Sequence, residues 1–114
     1  MIAPMQYTIG YYSEAVLEEI DCMPLHLRAR YAALTERMKV SGSDLGEPHT
    51  QAMGAGLFEL RMKSQEGIAR VMYCTLVGRR IVMLHSFIKK TQKTPLADLA
   101  LARKRLQEVK HAHT

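Results

Sequence analysis

The sequence predicts a small α+β domain in which an antiparallel sheet packs with helices, in the order β-α-α-β-β-β-α. Three observations predict this class. The chain has 114 residues, the length of one domain. Three strand-like runs follow one another between positions 57 and 88, and apolar residues recur at helical spacing on both sides of them. We therefore expect residues 1–114 to form a single domain.

The first half of the chain predicts one strand and two helices. Met5–Tyr12 is rich in Tyr and Thr, which is typical of a strand. Ser13 can cap a short helix that runs through Ile20. Met23–Pro24 marks a break, and Pro24 suits the first position of a second helix, which ends near Ser41–Gly42. The apolar face of that second helix is formed by Leu27, Tyr31, Leu34 and Met38.

The middle of the chain predicts a loop and three strands. Gly42–Gly56 contains four glycines and a proline, which indicates an irregular crossing segment. Leu57–Lys63 then places Phe58, Leu60 and Met62 on one side and Glu59, Arg61 and Lys63 on the other. The runs Ile68–Val77 and Arg80–Ile88, joined by a turn at Gly78–Arg79, are nearly continuously apolar. That pattern is typical of strands covered on both faces.

The last segment predicts a helix. Thr94 can cap it, and Pro95 suits its first position. Fraying is expected from His111 to the end of the chain. The apolar face of this helix is formed by Leu99, Ala102, Leu106 and Val109.

Composition and charge narrow the functional classes. The net charge is +5, divided as −3 over residues 1–56 and +8 over residues 57–114. This asymmetry favours a polyanionic partner, although a solvated basic face without a partner would look the same. The two cysteines, Cys22 and Cys74, do not form a disulfide framework. Met1–Gln6 lacks the features of a signal peptide, and no apolar run is long enough to span a membrane. These features indicate a soluble protein of the cytoplasm.

Common catalytic motifs are absent from the sequence. No histidine has a second His or Cys at the spacing of a zinc site, and there is no phosphate-binding glycine loop, nucleophile elbow or dinucleotide fingerprint. We therefore expect neither a metal nor a cofactor.

Arg70 is the most unusual residue of the basic half, because it interrupts the apolar run Ile68–Tyr73. A guanidinium inside a buried strand is costly unless it is paired or faces a polar cleft. Two explanations compete: an ion pair with Glu59 or Glu66, or a place in the lining of an anion-binding groove. Arg79 and Arg80, at the hairpin tip, are expected to be solvated.

Several segments together resemble a known family. Gly56–Arg61 (GLFELR), Arg70–Tyr73 (RVMY) and Leu84–Pro95, with its FIKKTQKTP run, resemble the HigB-like, phage-derived branch of the RelE/ParE toxin superfamily. Leu45–His49 and Ala102–Leu106 also fit. The resemblance covers nearly the whole chain and implies the same order of elements.

The resemblance implies the toxin of a type II toxin–antitoxin pair, a ribosome-dependent endoribonuclease that cuts translated mRNA. Its partners would be the ribosome, mRNA and an antitoxin, commonly of helix-turn-helix type. The implied reaction is metal-free: the ribose 2′-hydroxyl attacks the adjacent phosphate and leaves a 2′,3′-cyclic phosphate and a 5′-hydroxyl. The superfamily fold also supports a ParE-like inhibitor that binds DNA gyrase without cutting RNA.

The resemblance also suggests site residues. Arg61 and Arg70 match positions that present guanidiniums to the phosphate. Glu59 is a candidate general base or the ion partner of an arginine, and His85 is either a proton shuttle or a core residue. Lys90 is a candidate proton donor. RNA or ribosome binding is expected of Lys63, Lys89 and Lys93. Some RelE relatives use a tyrosine near the C-terminus, but no tyrosine follows Tyr73 here, so the base and the acid remain unassigned.

Overall fold

The structure, a computed structural model, describes residues 6–89 and 95–112. Within these residues it contains five strands and three helices. Their order is β1 (Thr8–Tyr11), α1 (Glu14–Asp21), α2 (Leu25–Ser41), β2 (Thr50–Gly54), β3 (Leu57–Ser64), β4 (Gly67–Leu76), β5 (Arg80–Lys89) and α3 (Leu96–Ala112). The α+β class and the positions of β3, β4 and β5 are confirmed.

The sheet is mixed, with the strand order β1-β5-β4-β3-β2. The strands β2 to β5 form an antiparallel meander, of which β3, β4 and β5 were predicted. The first strand runs parallel to β5, with Thr8 beside Arg80, so the prediction of a purely antiparallel sheet was wrong at this edge. Residue pattern identifies a strand but says little about its partner or direction, because pairing is decided by the packing of distant segments.

A second correction concerns the segment Gly42–Gly56, which was predicted to be irregular and contains the additional strand β2. This strand pairs with the first half of β3 through a tight hairpin. Gly54, Ala55 and Gly56 all have positive φ there, a region that glycine enters without steric cost. The glycines therefore lie in the loops around a short strand and at its last residue, and they obscured the strand in the sequence.

The helix ends follow the predicted signals closely. The hydroxyl of Ser13 accepts a hydrogen bond from the Val16 amide at 3.3 Å, which confirms the cap of α1. Pro24 is the cap of α2 and not its first helical residue, and Pro95 likewise precedes α3. The predicted cap Thr94 lies outside the described residues. The helix α3 continues to Ala112, past the point where fraying was predicted.

Two apolar clusters cover the two faces of the sheet. The first packs α1 and α2 on one face, and the predicted stripe of α2 belongs to the same cluster as Leu60 and Met62, with Phe58 packed against it. The second packs Ala102 and Leu106 of α3 on the other face, with Leu99 and Val109 at its margin. None of the helices in the described part of the chain is long and apolar enough to cross a membrane.

Candidate functional site

Polar side chains gather on the face of the sheet that carries α3. Strand register places Arg61 of β3 opposite Arg70 of β4, and Arg70 opposite Phe87 of β5. Two residue pairs further along the same strands, Met72 lies opposite His85. Paired residues of neighbouring strands point to the same face, and neighbouring strands are ~4.8 Å apart. The predicted candidates Arg61, Arg70 and His85 therefore share one surface.

A buried carboxylate connects the two arginines. Glu59 is 0% exposed, and its Oε1 accepts a 2.8 Å hydrogen bond from Nε of Arg61. Its Oε2 lies 3.6 Å from Nη1 of Arg70, which is also fully buried. Of the two explanations for Arg70, the structure shows the ion pair with Glu59. Glu66 instead accepts a hydrogen bond from the backbone amide of His26, at 3.0 Å.

Arg61 has a second partner, Gln51 of β2. Nη2 of Arg61 donates a 2.8 Å hydrogen bond to Oε1 of Gln51, while the Arg61 side chain stays 32% exposed. The guanidinium is thus held at two of its nitrogens and still reaches solvent. Sequence reasoning missed Gln51 because β2 was not recognised. The signal available was that Gln51 lies within a short run without glycine or proline, between Pro48 and Gly54.

Arg61 lines a basic groove with a volume of about 440 Å³. The groove lies where β3 continues past the end of β2, which pairs with β3 only as far as Leu60. None of its six lining residues carries a carboxylate, and four of them are arginine, lysine or histidine. They are Arg30, Pro48, His49, Arg61, Lys63 and Ile68. Such a lining suits a phosphate group, because guanidinium and ammonium groups donate several charge-assisted hydrogen bonds. Arg30 and His49 were not among the predicted site residues.

Other basic side chains of the C-terminal half stabilise the fold. Arg103 of α3 donates hydrogen bonds to the carbonyl oxygens of Met53 and Gly54, at 2.8 and 3.2 Å. Arg105 donates to the carbonyl of Leu84 at 2.8 Å, and its guanidinium stacks 4.7 Å from the centre of the Tyr12 ring. Part of the strong positive charge therefore serves to fasten α3 to the sheet. The groove around Arg61 is the better candidate for function.

His85 connects β5 to the first turn of α3. Its Nε2 lies 2.7 Å from Oδ1 of Asp98, and its ring stacks on Phe87 with the centroids 5.6 Å apart. The Nδ1 atom is buried, and no described residue forms a hydrogen bond with it. These contacts give His85 a structural role in the packing of α3. Its predicted role in proton transfer stays a prediction.

Residues 18–107 match the model of the family described as phage derived protein Gp49-like (DUF891). The chain belongs to this Gp49-like family. No curated protein matches the sequence of this Gp49-like protein. Among solved structures, a double mutant of E. coli toxin RelE in the free state is similar, with a TM-score of 0.65 and 14% sequence identity. The match covers 90% of this chain and 99% of that chain, and it shows that the Gp49-like protein has the RelE fold.

The remaining predicted site residues of the Gp49-like protein are four lysines. Lys63 is exposed and lines the groove. Lys90, Lys93 and the side chain of Lys89 lie outside the described residues. Within residues 6–89 and 95–112, no group of three or more His, Cys, Asp or Glu side chains could hold a metal ion.

Tyr73, the last tyrosine of the chain, is not part of the groove. It lies on the opposite face of the sheet, where its ring stacks on Phe58 with the centroids 5.7 Å apart. Its hydroxyl donates to the carbonyl of Ser43, and burial raises the pKa of the phenol. Tyr73 therefore contributes to the core.

Proposed function

We propose that this Gp49-like protein is the toxin of a toxin–antitoxin pair, of the HigB-like branch, and cuts translated mRNA on the ribosome. The observation that supports this most directly is the basic groove, in which an oriented, partly exposed arginine stands beside Lys63 without a lining carboxylate. A cluster of this kind is needed for catalysis at a phosphodiester. A protein that only occupies gyrase has no such requirement.

The proposed reaction is attack by a ribose 2′-hydroxyl on the adjacent phosphate, and Arg61 would stabilise the charge that develops there. An arginine has five N–H donors. Among the described residues, Glu59 and Gln51 accept from two of them, so three remain for phosphate oxygens. Lys63 adds a second cation at the same groove. Arg70, which is fully buried, acts in this proposal through Glu59 and not by touching RNA.

Glu59 serves in this proposal as the ion partner of the arginines and not as the general base. Both of its carboxylate oxygens face guanidinium groups, and the side chain is closed to solvent. A base must lie within hydrogen-bond distance of the proton that it removes. Lys90 remains the proposed proton donor, His85 a proposed proton shuttle, and Lys89 and Lys93 proposed contacts to RNA.

The proposal also includes partners and location. The protein would act in the cytoplasm, without metal or cofactor. It would be held inactive there by a cognate antitoxin of helix-turn-helix type. The antitoxin would have to prevent access of mRNA to the groove, since the groove holds the proposed site.

Primer extension on cellular mRNA after brief induction tests the function. We expect cuts within translated codons for the parental protein and ~10²–10³-fold fewer for Arg61→Ala, because one charge donor at the reacting phosphate is lost. Lys104→Ala, a change to an exposed cation of α3, is the control and should cut like the parent. Intact mRNA together with an SOS response would overturn the nuclease in favour of gyrase inhibition.

A further inference from the structure

Gln51 and Glu59 each accept a hydrogen bond from a different nitrogen of the Arg61 guanidinium. In the β2–β3 hairpin the two acceptors are cross-strand neighbours, and Arg61 follows Glu59 by two residues on the same face. Nε donates to Glu59 and Nη2 donates to Gln51, both at 2.8 Å. Two contacts on different nitrogens fix both the position and the plane of the group.

We infer that Gln51 is a positioning residue, which orients Arg61 so that its remaining N–H groups face a phosphate in the groove. This inference rests on the proposed function. An arginine side chain has several rotatable bonds, and an unrestrained one would lose much conformational freedom on binding its ligand. Holding it in place beforehand removes that loss and keeps the donors aimed at the charge that develops during the reaction.

The two acceptors differ in charge, which gives them different roles: Glu59 is a carboxylate and Gln51 is a neutral amide. Glu59, Arg61 and Arg70 together carry a formal charge of +1, since one carboxylate is shared by two guanidiniums. A second carboxylate at position 51 would cancel that charge, whereas the neutral amide of Gln51 orients Arg61 and leaves it for an anion. Gln51 is half-buried, whereas Glu59 is fully buried, so the contact with Gln51 is the one closer to solvent.

A double-mutant cycle separates this role from simple stabilisation of the hairpin. In single-turnover cleavage on programmed ribosomes, Gln51→Leu should lower the rate ~10–100-fold, as expected for a misplaced catalytic group. In an Arg61→Ala background the same change should alter the rate less than twofold, because Gln51 acts through Arg61. Gln107→Leu, on the exposed side of α3, is the matched control and should behave like the parent. Thermal melting of each variant confirms that it is folded.

Two results would overturn the inference: a folded Gln51→Leu protein that cuts at the parental rate, or equal losses in both backgrounds. Failure of the proposed function looks different, because the parental protein itself would then leave mRNA intact. In that case the cycle is measured as affinity for a single-stranded RNA oligonucleotide at low salt. If Gln51→Leu lowers the affinity for RNA in the parental protein but not in the Arg61→Ala background, the positioning role is supported. If it lowers the affinity equally in both backgrounds, the positioning role is refuted.

Discussion

Replacing Arg70 by methionine tests the buried charge cluster directly. Glu59 Oε2 and Arg70 Nη1 lie 3.6 Å apart and both side chains are 0% exposed, so Arg70→Met removes a charged partner from a buried carboxylate. Breaking a buried ion pair on one side typically costs ~3–5 kcal/mol. For a chain of this size each kcal/mol lowers Tm by roughly 3–6 °C, so we expect a decrease of roughly 10–30 °C.

The assay is urea unfolding monitored by circular dichroism, which gives the free energy of unfolding. Two further variants are compared with Arg70→Met. The double variant Glu59→Leu/Arg70→Met removes the uncompensated charge and should recover much of the stability, because buried ion pairs can often be replaced by apolar residues of similar size. Arg37→Met, at an exposed position of α2, should change stability by less than about 0.5 kcal/mol. If Arg70→Met lost less than about 1 kcal/mol, or the double variant were the less stable of the two, the reasoning about this cluster would be refuted.

Three further predictions concern the core, the thiols and metal. Leu34→Ala should cost ~2–5 kcal/mol, since Leu34 is 6% exposed within the α2 stripe. Leu25→Ala, at a 62% exposed position, should cost far less in the same unfolding experiment, and equal losses would contradict the packing. Titration with a thiol reagent at pH 8 should detect Cys22 alone in the native protein, because Cys74 is buried and burial raises its pKa; two reactive thiols would argue against this core. Protein stripped with EDTA should cut mRNA on magnesium-assembled ribosomes at the untreated rate, and activity that returned only with added transition metal would exclude the proposed metal-free reaction.

Local patterns predicted most of the fold. The alternation of Phe58, Leu60 and Met62 and the stripe of α2 follow from side-chain periods of two and 3.6 residues, which a sequence shows directly. The capping role of Ser13 is equally local. By contrast, the parallel pairing of Thr8 with Arg80 joins residues far apart in the chain, and no period within either segment encodes it. The strand β2 was missed for a related reason, because its stability comes from pairing with β3 more than from its own composition.

The same distinction explains what the sequence showed of the site. Period two correctly placed Glu59 and Arg61 on one face. The apolar run around Arg70 indicated a buried arginine but left open whether an ion pair or a groove accommodates it, because that depends on the neighbouring strands. Arg70 lies on β4, between β3 and β5, with neighbours on both sides. Arg61 lies where β3 passes the end of β2, and there its side chain reaches the groove. Gln51 could be found only once β2 was known to lie beside β3.

The sheet register places two arginines side by side, and the carboxylate that reduces their repulsion also orients the arginine of the groove. Arg61 and Arg70 face each other across β3 and β4, and like charges in that position repel. Glu59 relieves the repulsion by contacting both guanidiniums. The three side chains together carry a formal charge of +1, and Arg61 is the one of them that reaches the groove. Stability of the sheet and an oriented cation for a phosphate thus follow from the same three side chains. A change at Glu59 should therefore affect both together.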